Sequence, residues 1–256
     1  RDLIGLTKRF FMNMFKVGCS GYYYPDWKGK FYPGELGTSK WLNYYSSVFN
    51  SVELNGTFYR QPKVENLKKY ARMTPPDFRF SAKASRYITH VLKLKDAKPF
   101  VLEFSTLLEK GLEEKFDKLL FQLPASFHYS LENLDRIADA VPGLPRNVVE
   151  FRHNSWWNET VFKRFKENKI TFCNVDYPGL QPGFVSTSDQ FYLRLHGVPE
   201  LFKSSYTNKQ LKEFAAAIPK TVKGGNIYFN NTASNAAYKN APVLIEMIEE
   251  TRASVK

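Results

Sequence analysis

Two cysteines in 256 residues exclude a disulfide-stapled scaffold. Cys19 and Cys173 both fall inside apolar, strand-like runs and read as reduced core thiols, which points to the cytoplasm. Histidine is almost as scarce. His90, His128, His153 and His196 are too few for a polynuclear zinc cluster. No apolar run approaches the ~20 residues of a membrane span, so a membrane is not among the expected partners. Internal repeats, low-complexity stretches and linkers are missing too, as is any glycine-rich phosphate fingerprint after a strand. The segment 1–15 is basic with scattered apolar residues, but it has neither a continuous apolar core nor a small-residue cleavage site. It reads as an extension, with a single domain over 16–256.

What remains is an alternation. Apolar strand-like runs occupy Phe15–Ser20, Ser51–Leu54, Phe78–Lys83, Lys118–Leu123, Asn147–Arg152, Ile170–Val175, Gln190–His196 and Gly225–Asn230. Several are apolar on both faces, as parallel strands covered by helices should be. Helical periodicity follows most of them, over Ser39–Phe49, Lys63–Met73, Phe100–Leu112, Leu131–Ala140, Glu159–Asn168, Lys209–Ile218 and Asn235–Glu250. Only Asp176–Asp189 lacks it, and its proline and glycine content says loop. Eight βα units close most economically as a TIM-like (β/α)8 barrel, here with an irregular loop replacing the helix between strands six and seven. An open doubly wound sheet is the alternative.

Barrel enzymes work where the strands run out at their carboxyl ends, and here every strand places a polar group there. The candidates are Ser20, Glu53 and Asn55, Lys83, Gln122, Glu150 and Arg152, Asn174 and Asp176, Arg194 and His196, and Asn230 with Asn231. Glu150 and Arg152 are two residues apart and so share one side of their strand, as do Arg194 with His196 and Glu53 with Asn55. Convergent ionisable groups fit a reactive mouth better than they fit a ring of ion pairs that merely closes the barrel.

Reaction classes can be tested against this ring. A single divalent metal could be held by His196, Glu150 and Asp176, but no cofactor is expected. Glycoside hydrolysis needs two facing carboxylates, and strands four and seven end instead in Gln122 and in Arg194 with His196. Schiff-base chemistry needs a desolvated lysine, for which Lys83 is the candidate. An anion clamp asks least: Arg152 and Arg194 offer paired donors, Lys83 adds charge, and Asn230 and Asn231 add neutral donors. Glu150 or Glu53 would then act as general base, with His196 as proton shuttle.

The charge supports an anionic partner. Thirty-seven basic residues against 25 acidic ones give +12, and Arg60–Lys98 alone holds eleven basic and three acidic residues. That stretch includes Arg86 and His90 in a long loop after strand three. Aromatic residues crowd the strand ends, and Trp27 and Tyr206 are the ones expected to stack on a base or sugar ring.

Particular motifs carry a resemblance. Val17-Gly18-Cys19-Ser20-Gly21-Tyr22 with Trp27 and Phe31-Tyr32-Pro33 resembles the opening of the YecE-like family, also called domain of unknown function 72. Val52-Glu53-Leu54-Asn55, Phe80-Ser81-Ala82-Lys83 with Thr89-His90, and Glu150-Phe151-Arg152-His153 with Trp156 continue it. Arg194-Leu195-His196-Gly197, Tyr206 and Tyr228-Phe229-Asn230-Asn231 complete it in family order. The resemblance implies a TIM-type barrel and supplies no reaction. A suggested kinship with zinc-dependent apurinic endonuclease barrels would imply DNA as ligand, although their histidine-rich ligand set is not reproduced. Cys19 stands where Thr is usual, and Asp176-Tyr177-Pro178 where Asp-Ser-Pro is more common.

The expected function is an enzyme acting on an anionic, phosphorylated substrate at the barrel mouth by general acid–base chemistry. The alternatives are a nucleic-acid-binding or nucleic-acid-processing protein and a catalytically inactive scaffold.

Overall fold

Alternation along the strands decides which side chains enter the barrel, and the computed structural model, which describes residues 14–180 and 183–253, shows that alternation throughout. Of the extension expected over 1–15, residues 1–13 lie outside the described residues. The strands are β1 Phe15–Cys19, β2 Ser51–Leu54, β3 Arg79–Lys83, β4 Phe116–Gln122, β5 Asn147–Glu150, β6 Thr171–Asp176, β7 Gln190–Leu195 and β8 Gly224–Phe229. All pair in parallel in the order β1-β8-β7-β6-β5-β4-β3-β2. A lone bridge between Ser20 and Glu53 brings β1 against β2. The barrel is therefore nearly closed, as the alternation of strands and helices requires.

Outside it run α1 Trp41–Val48, α2 Val64–Arg72, α3 Lys98–Leu112, α4 Leu131–Ala140, α5 Glu159–Glu167, α6 Asn208–Ala217 and α7 Ala237–Ala253. Their starts are written in the sequence. Ser130, Asn158 and Thr207 each accept a hydrogen bond from a first-turn amide, and Gln210 completes a capping box with Thr207. Pro99 sits in the first turn of α3, where a missing N–H is harmless. Gly111 lets α3 lie against α2, because a Cβ there would stand 2.4 Å from Leu67 Cβ.

No helix joins β6 to β7 among the described residues. Asn174 does a helix's work there. Its side chain points away from the barrel, accepts from Val185 N at 2.8 Å and donates to Val185 O at 3.0 Å. Thr187 adds a hydrogen bond to Ile170 O and accepts one from Phe172 N, so the end of the loop is pinned to the start of β6 by side chains.

Two apolar clusters result. The larger lies between sheet and helices. The smaller fills the lumen with Leu120, Val148, Cys173, Val175, Tyr192 and Tyr228. Tyr228 Oη meets Ser51 Oγ at 2.5 Å and Ser81 Oγ at 2.9 Å across the barrel. The interior is a packed plug, and chemistry is left to the rim.

The seam between β1 and β2 is made by side chains. Cys19 N donates to Tyr45 Oη at 2.6 Å, and Tyr45 Oη donates to Ser51 O at 3.1 Å. Asn50 accepts from Val17 N and donates to Phe15 O. Gly18 allows this closeness, since a Cβ would lie 2.0 Å from Ser51 O.

Candidate active site at the barrel mouth

The polar groups at the strand ends separate into a sealed network and an open set. Four donors converge on the Glu53 carboxylate in the sealed part. Oε1 accepts from Ser20 Oγ and from Arg194 Nη2, both at 2.7 Å; Oε2 accepts from Tyr192 Oη at 2.7 Å, and Arg194 Nε lies 3.1 Å from both oxygens. Arg194 Nη1 reaches across to Glu150 Oε2 at 2.7 Å. Glu53 and Arg194 are fully buried. The expectation that Arg194 clamps a ligand does not fit this geometry: its Nε, Nη1 and Nη2 are all engaged by protein carboxylates. The same saturation removes Glu53 from the list of available bases.

Glu150 is held between two arginines, with Oε2 on Arg194 and Oε1 ion-paired to Arg152 Nη2. Burial opposes its ionisation, but Arg152 and Arg194 together hold its pKa well below the usual carboxylate range. A carboxylate so stabilised is a weak proton acceptor.

His196 is also buried. Its Nε2 lies 3.1 Å from Arg152 Nη2 and its Nδ1 lies 2.9 Å from the Asn230 carboxamide. A guanidinium only donates, so Nε2 accepts from Arg152; at Nδ1 the group within reach is Asn230 Nδ2, the amide nitrogen. Burial first, and Arg152 second, keep the ring neutral. The proton-shuttle lone pair expected of His196 is thus occupied by Arg152.

Asp176 accepts from Tyr206 Oη at 2.7 Å, and burial raises its pKa. Tyr206 in turn accepts from Gly197 N at 2.7 Å and is itself buried. Trp27 is 1% exposed, donates from its indole to Thr232 O, and packs against Tyr24, Tyr32 and Tyr238. Neither Trp27 nor Tyr206 has a face free for a base, contrary to the expectation from their positions near strand ends. Asn231 is likewise a fastener, donating to Ser204 O at 2.9 Å and to Asn240 Oδ1 at 3.2 Å. Gln122 turns back onto Leu123 O at 2.7 Å.

The open set is Lys83, Arg152, His90 and Asn55. Lys83 Nζ lies 4.0 Å from the centroid of the Phe58 ring and, among the described residues, makes no ion pair or hydrogen bond. Burial, then Arg194, lower its pKa to about 8; Glu150 and Glu53 act in the opposite sense and Arg152 adds to the lowering. Arg152 carries its guanidinium 4.1 Å over Tyr177, and its Nε is buried with no partner. Tyr177, the departure from the family's more common serine, is therefore a cation–π platform. Asn55 Oδ1 is also buried and unsatisfied.

The segment read as a plain loop after strand three contains a π-helix, Tyr87–Val91, a rare geometry that recurs at functional sites. It fixes His90. Thr89 Oγ1 donates to Ser85 O at 3.1 Å, so the 2.9 Å contact to His90 Nδ1 is a donation from the ring, and Nε2 carries the lone pair. His90 stands edge-on to Phe58, and burial, then Lys83, lower its pKa to about 4. Phe58 thus joins the two groups, with Lys83 over its face and His90 at a steep angle to it.

Among the described residues, no group of three or more His, Cys, Asp or Glu side chains is arranged to hold a metal ion. The three candidates for a single ion have their donors directed elsewhere: Glu150 at arginines, His196 at Arg152 and Asn230, Asp176 at Tyr206. The donor set does not fit a zinc cluster.

Comparison with known sequences places the fold and motifs in a family. The profile described as protein of unknown function DUF72 matches residues 16–256. The chain belongs to the DUF72 family. It is 33% identical over 141 residues to UPF0759 protein YecE of Escherichia coli K12, a match covering 55% of this chain and 49% of YecE. The match thus spans about half the length of that relative. UPF0759 protein YunF of Bacillus subtilis is 28% identical over 209 residues, covering 78% of this chain and 70% of YunF. Among solved structures, a DUF72 family protein from Thermotoga maritima superposes with a TM-score of 0.78 at 31% identity, covering 94% of this chain and 99% of that one. One from Enterococcus faecalis gives 0.77 at 21% identity, covering 92% and 95%. The DUF72 structures share the barrel, and none of these names carries a reaction, so function has to be argued from the mouth itself.

Tyr192 and Tyr177 belong to the mouth and were not among the site residues expected from sequence. Tyr192 precedes Arg194 by two positions on one strand, so its inward direction was available from parity alone.

Proposed function

We propose that this DUF72 chain is an enzyme that binds an anionic, phosphorylated substrate at the barrel mouth and acts on it by general acid–base chemistry. The observation that carries the reading is the unpartnered ammonium of Lys83. Glu53 and Glu150 are matched by Arg152 and Arg194, and Asp176 is bonded to Tyr206, so among the described residues Lys83 has no counter-ion. An incoming anion would supply the missing partner in a partly desolvated setting, where the attraction is stronger than in water. The base role passes from Glu150 and Glu53, whose oxygens are committed, to His90, which burial and Lys83 keep neutral. Asp176, kept protonated more readily by burial, is the acid candidate.

Titration with inorganic phosphate by isothermal calorimetry tests the reading at pH 7, where Lys83 is mostly charged. Wild type is expected to bind and Lys83→Met to bind at least tenfold more weakly, whereas Lys68→Met, on the exposed face of α2, is expected to match wild type. Equal affinities for wild type and Lys83→Met would end the reading.

A second reading, a nucleic-acid-binding protein, is favoured by a groove beside the mouth. A space of about 650 Å³ lined by Tyr22, Tyr23, Asn55, Arg60 and Lys63 adjoins one of about 410 Å³ lined by Tyr59, Arg86 and Tyr87, with Arg60 and Gln61 common to both. Tyr23, Tyr59 and Tyr87 are exposed. Aromatic faces interleaved with arginines suit a single strand. Fluorescence anisotropy of labelled oligonucleotides over a salt series should show binding that weakens as salt rises and that falls with Arg60→Glu; salt-independent binding would contradict it.

A further inference from the structure

We propose that Lys83 is a covalent catalytic residue, condensing through Nζ with the carbonyl carbon of an anionic aldehyde, ketone or oxo acid. This rests on the anion-binding reading and narrows its substrate to a carbonyl compound. Three observations carry it. Lys83 ends β3 at the mouth, and among the described residues no ion pair or hydrogen bond holds its ammonium, so freeing the amine gives up only the contact with Phe58. The ring of Phe58 lies 4.0 Å beneath Nζ and fixes the side chain at the mouth; its attraction for the ammonium is outweighed by burial. Arg152, stacked on Tyr177 with an unpartnered buried Nε, remains to engage the anionic end of such a substrate.

The step balances without an added reactant. The Nζ lone pair attacks the carbonyl carbon, and the carbonyl π pair moves to oxygen. Proton transfer from nitrogen to oxygen gives a carbinolamine; the C–O bond then breaks and water leaves with the carbonyl oxygen and both amine hydrogens, leaving the C=N bond. His90, neutral and with its Nε2 lone pair unprotonated, is the adjacent group suited to relay a proton.

The charged groups facing Lys83 agree with this. Burial and the arginines of β7 and of the segment after β5 outweigh the carboxylates Glu53 and Glu150, and the amine titrates at about 8. At pH 7.5 about a quarter of it is then neutral, against roughly one part in a thousand for an ordinary lysine.

The test is reductive trapping. Wild-type protein is incubated with glyoxylate and cyanoborohydride, and the product is mapped by peptide mass spectrometry. The expected result is one carboxymethyl group per chain on Lys83, with a labelling midpoint near pH 8 and suppression by inorganic phosphate. Lys83→Arg is expected to lose the label, and its melting curve controls for folding. Label spread over the exposed lysines, or none at all, while phosphate binding still depends on Lys83, would overturn the covalent role and leave the anion site standing. Loss of both dependences would overturn the two readings together.

Discussion

Replacing Glu53 by Gln removes one charge from the sealed network and changes almost nothing in shape. Its consequence can be worked from the contacts. Ser20 Oγ, Tyr192 Oη and Arg194 Nε and Nη2 all donate to the two carboxylate oxygens. A carboxamide offers one acceptor oxygen and turns an NH2 group toward the remaining donors, while the Arg194 cation keeps only Glu150. Breaking a buried ion pair by removing one partner costs about 3–5 kcal/mol. At roughly 2–4 °C per kcal/mol for a domain of this size, Tm should fall by roughly 6–20 °C. The check is a urea titration with a thermal melt, on Glu53→Gln, Arg194→Met and the double variant. The double variant should be less destabilised than the sum of the singles, because it leaves neither member of this pair unpaired. A loss below ~1 kcal/mol in Glu53→Gln, or strict additivity, would refute the view that Glu53 is a buried strut for Arg194.

Other outcomes follow from separate parts of the molecule. Glu150 has a folded-state pKa below the ordinary value, so its contribution to stability is present above the unfolded pKa and is lost as pH falls through the folded one. The stability gap between wild type and Glu150→Gln should accordingly be widest near neutrality and shrink in acid; a gap that grows on acidification would contradict the assignment. Trp27→Ala should lower stability by about 3–5 kcal/mol, as expected for a buried tryptophan, and full stability with lost ligand binding would mean the ring is a stacking platform after all. Gly18→Ala should destabilise by at least ~1–3 kcal/mol through overpacking at the β1–β2 seam; an unperturbed melting curve would show that the seam tolerates widening.

The strands were legible because most of their residues are buried on both faces: Val148–Glu150 reads as an apolar pair closed by one charge, and Leu193–Leu195 as apolar residues flanking one. Parity likewise put Glu53 with Asn55, Glu150 with Arg152, and Arg194 with His196 on one side of each strand. Their chemical availability was not legible. It depends on partners 44 to 141 positions away, as in the bonds of Arg194 to Glu150 and Glu53, and local pattern carries no information about saturation. The same holds for Trp27, whose indole finds Thr232 across 205 residues. The π-helix over Tyr87–Val91 has no periodicity of its own long enough to register, and it alone determines where His90 stands.

A parallel barrel is often pictured as having no edges, but β1 here retains one. The amides of Val17 and Cys19 meet a carboxamide and a phenol where a full ladder would supply carbonyls. Exposed strand edges are templates for a foreign strand, and Asn50 and Tyr45 occupy that template from within. Tyr45 is part of α1 and Asn50 follows it, so the helix and its trailing turn act as a built-in competitor against intermolecular strand addition. Closure of this seam therefore depends on a helix and its trailing turn staying docked, and not on the sheet alone.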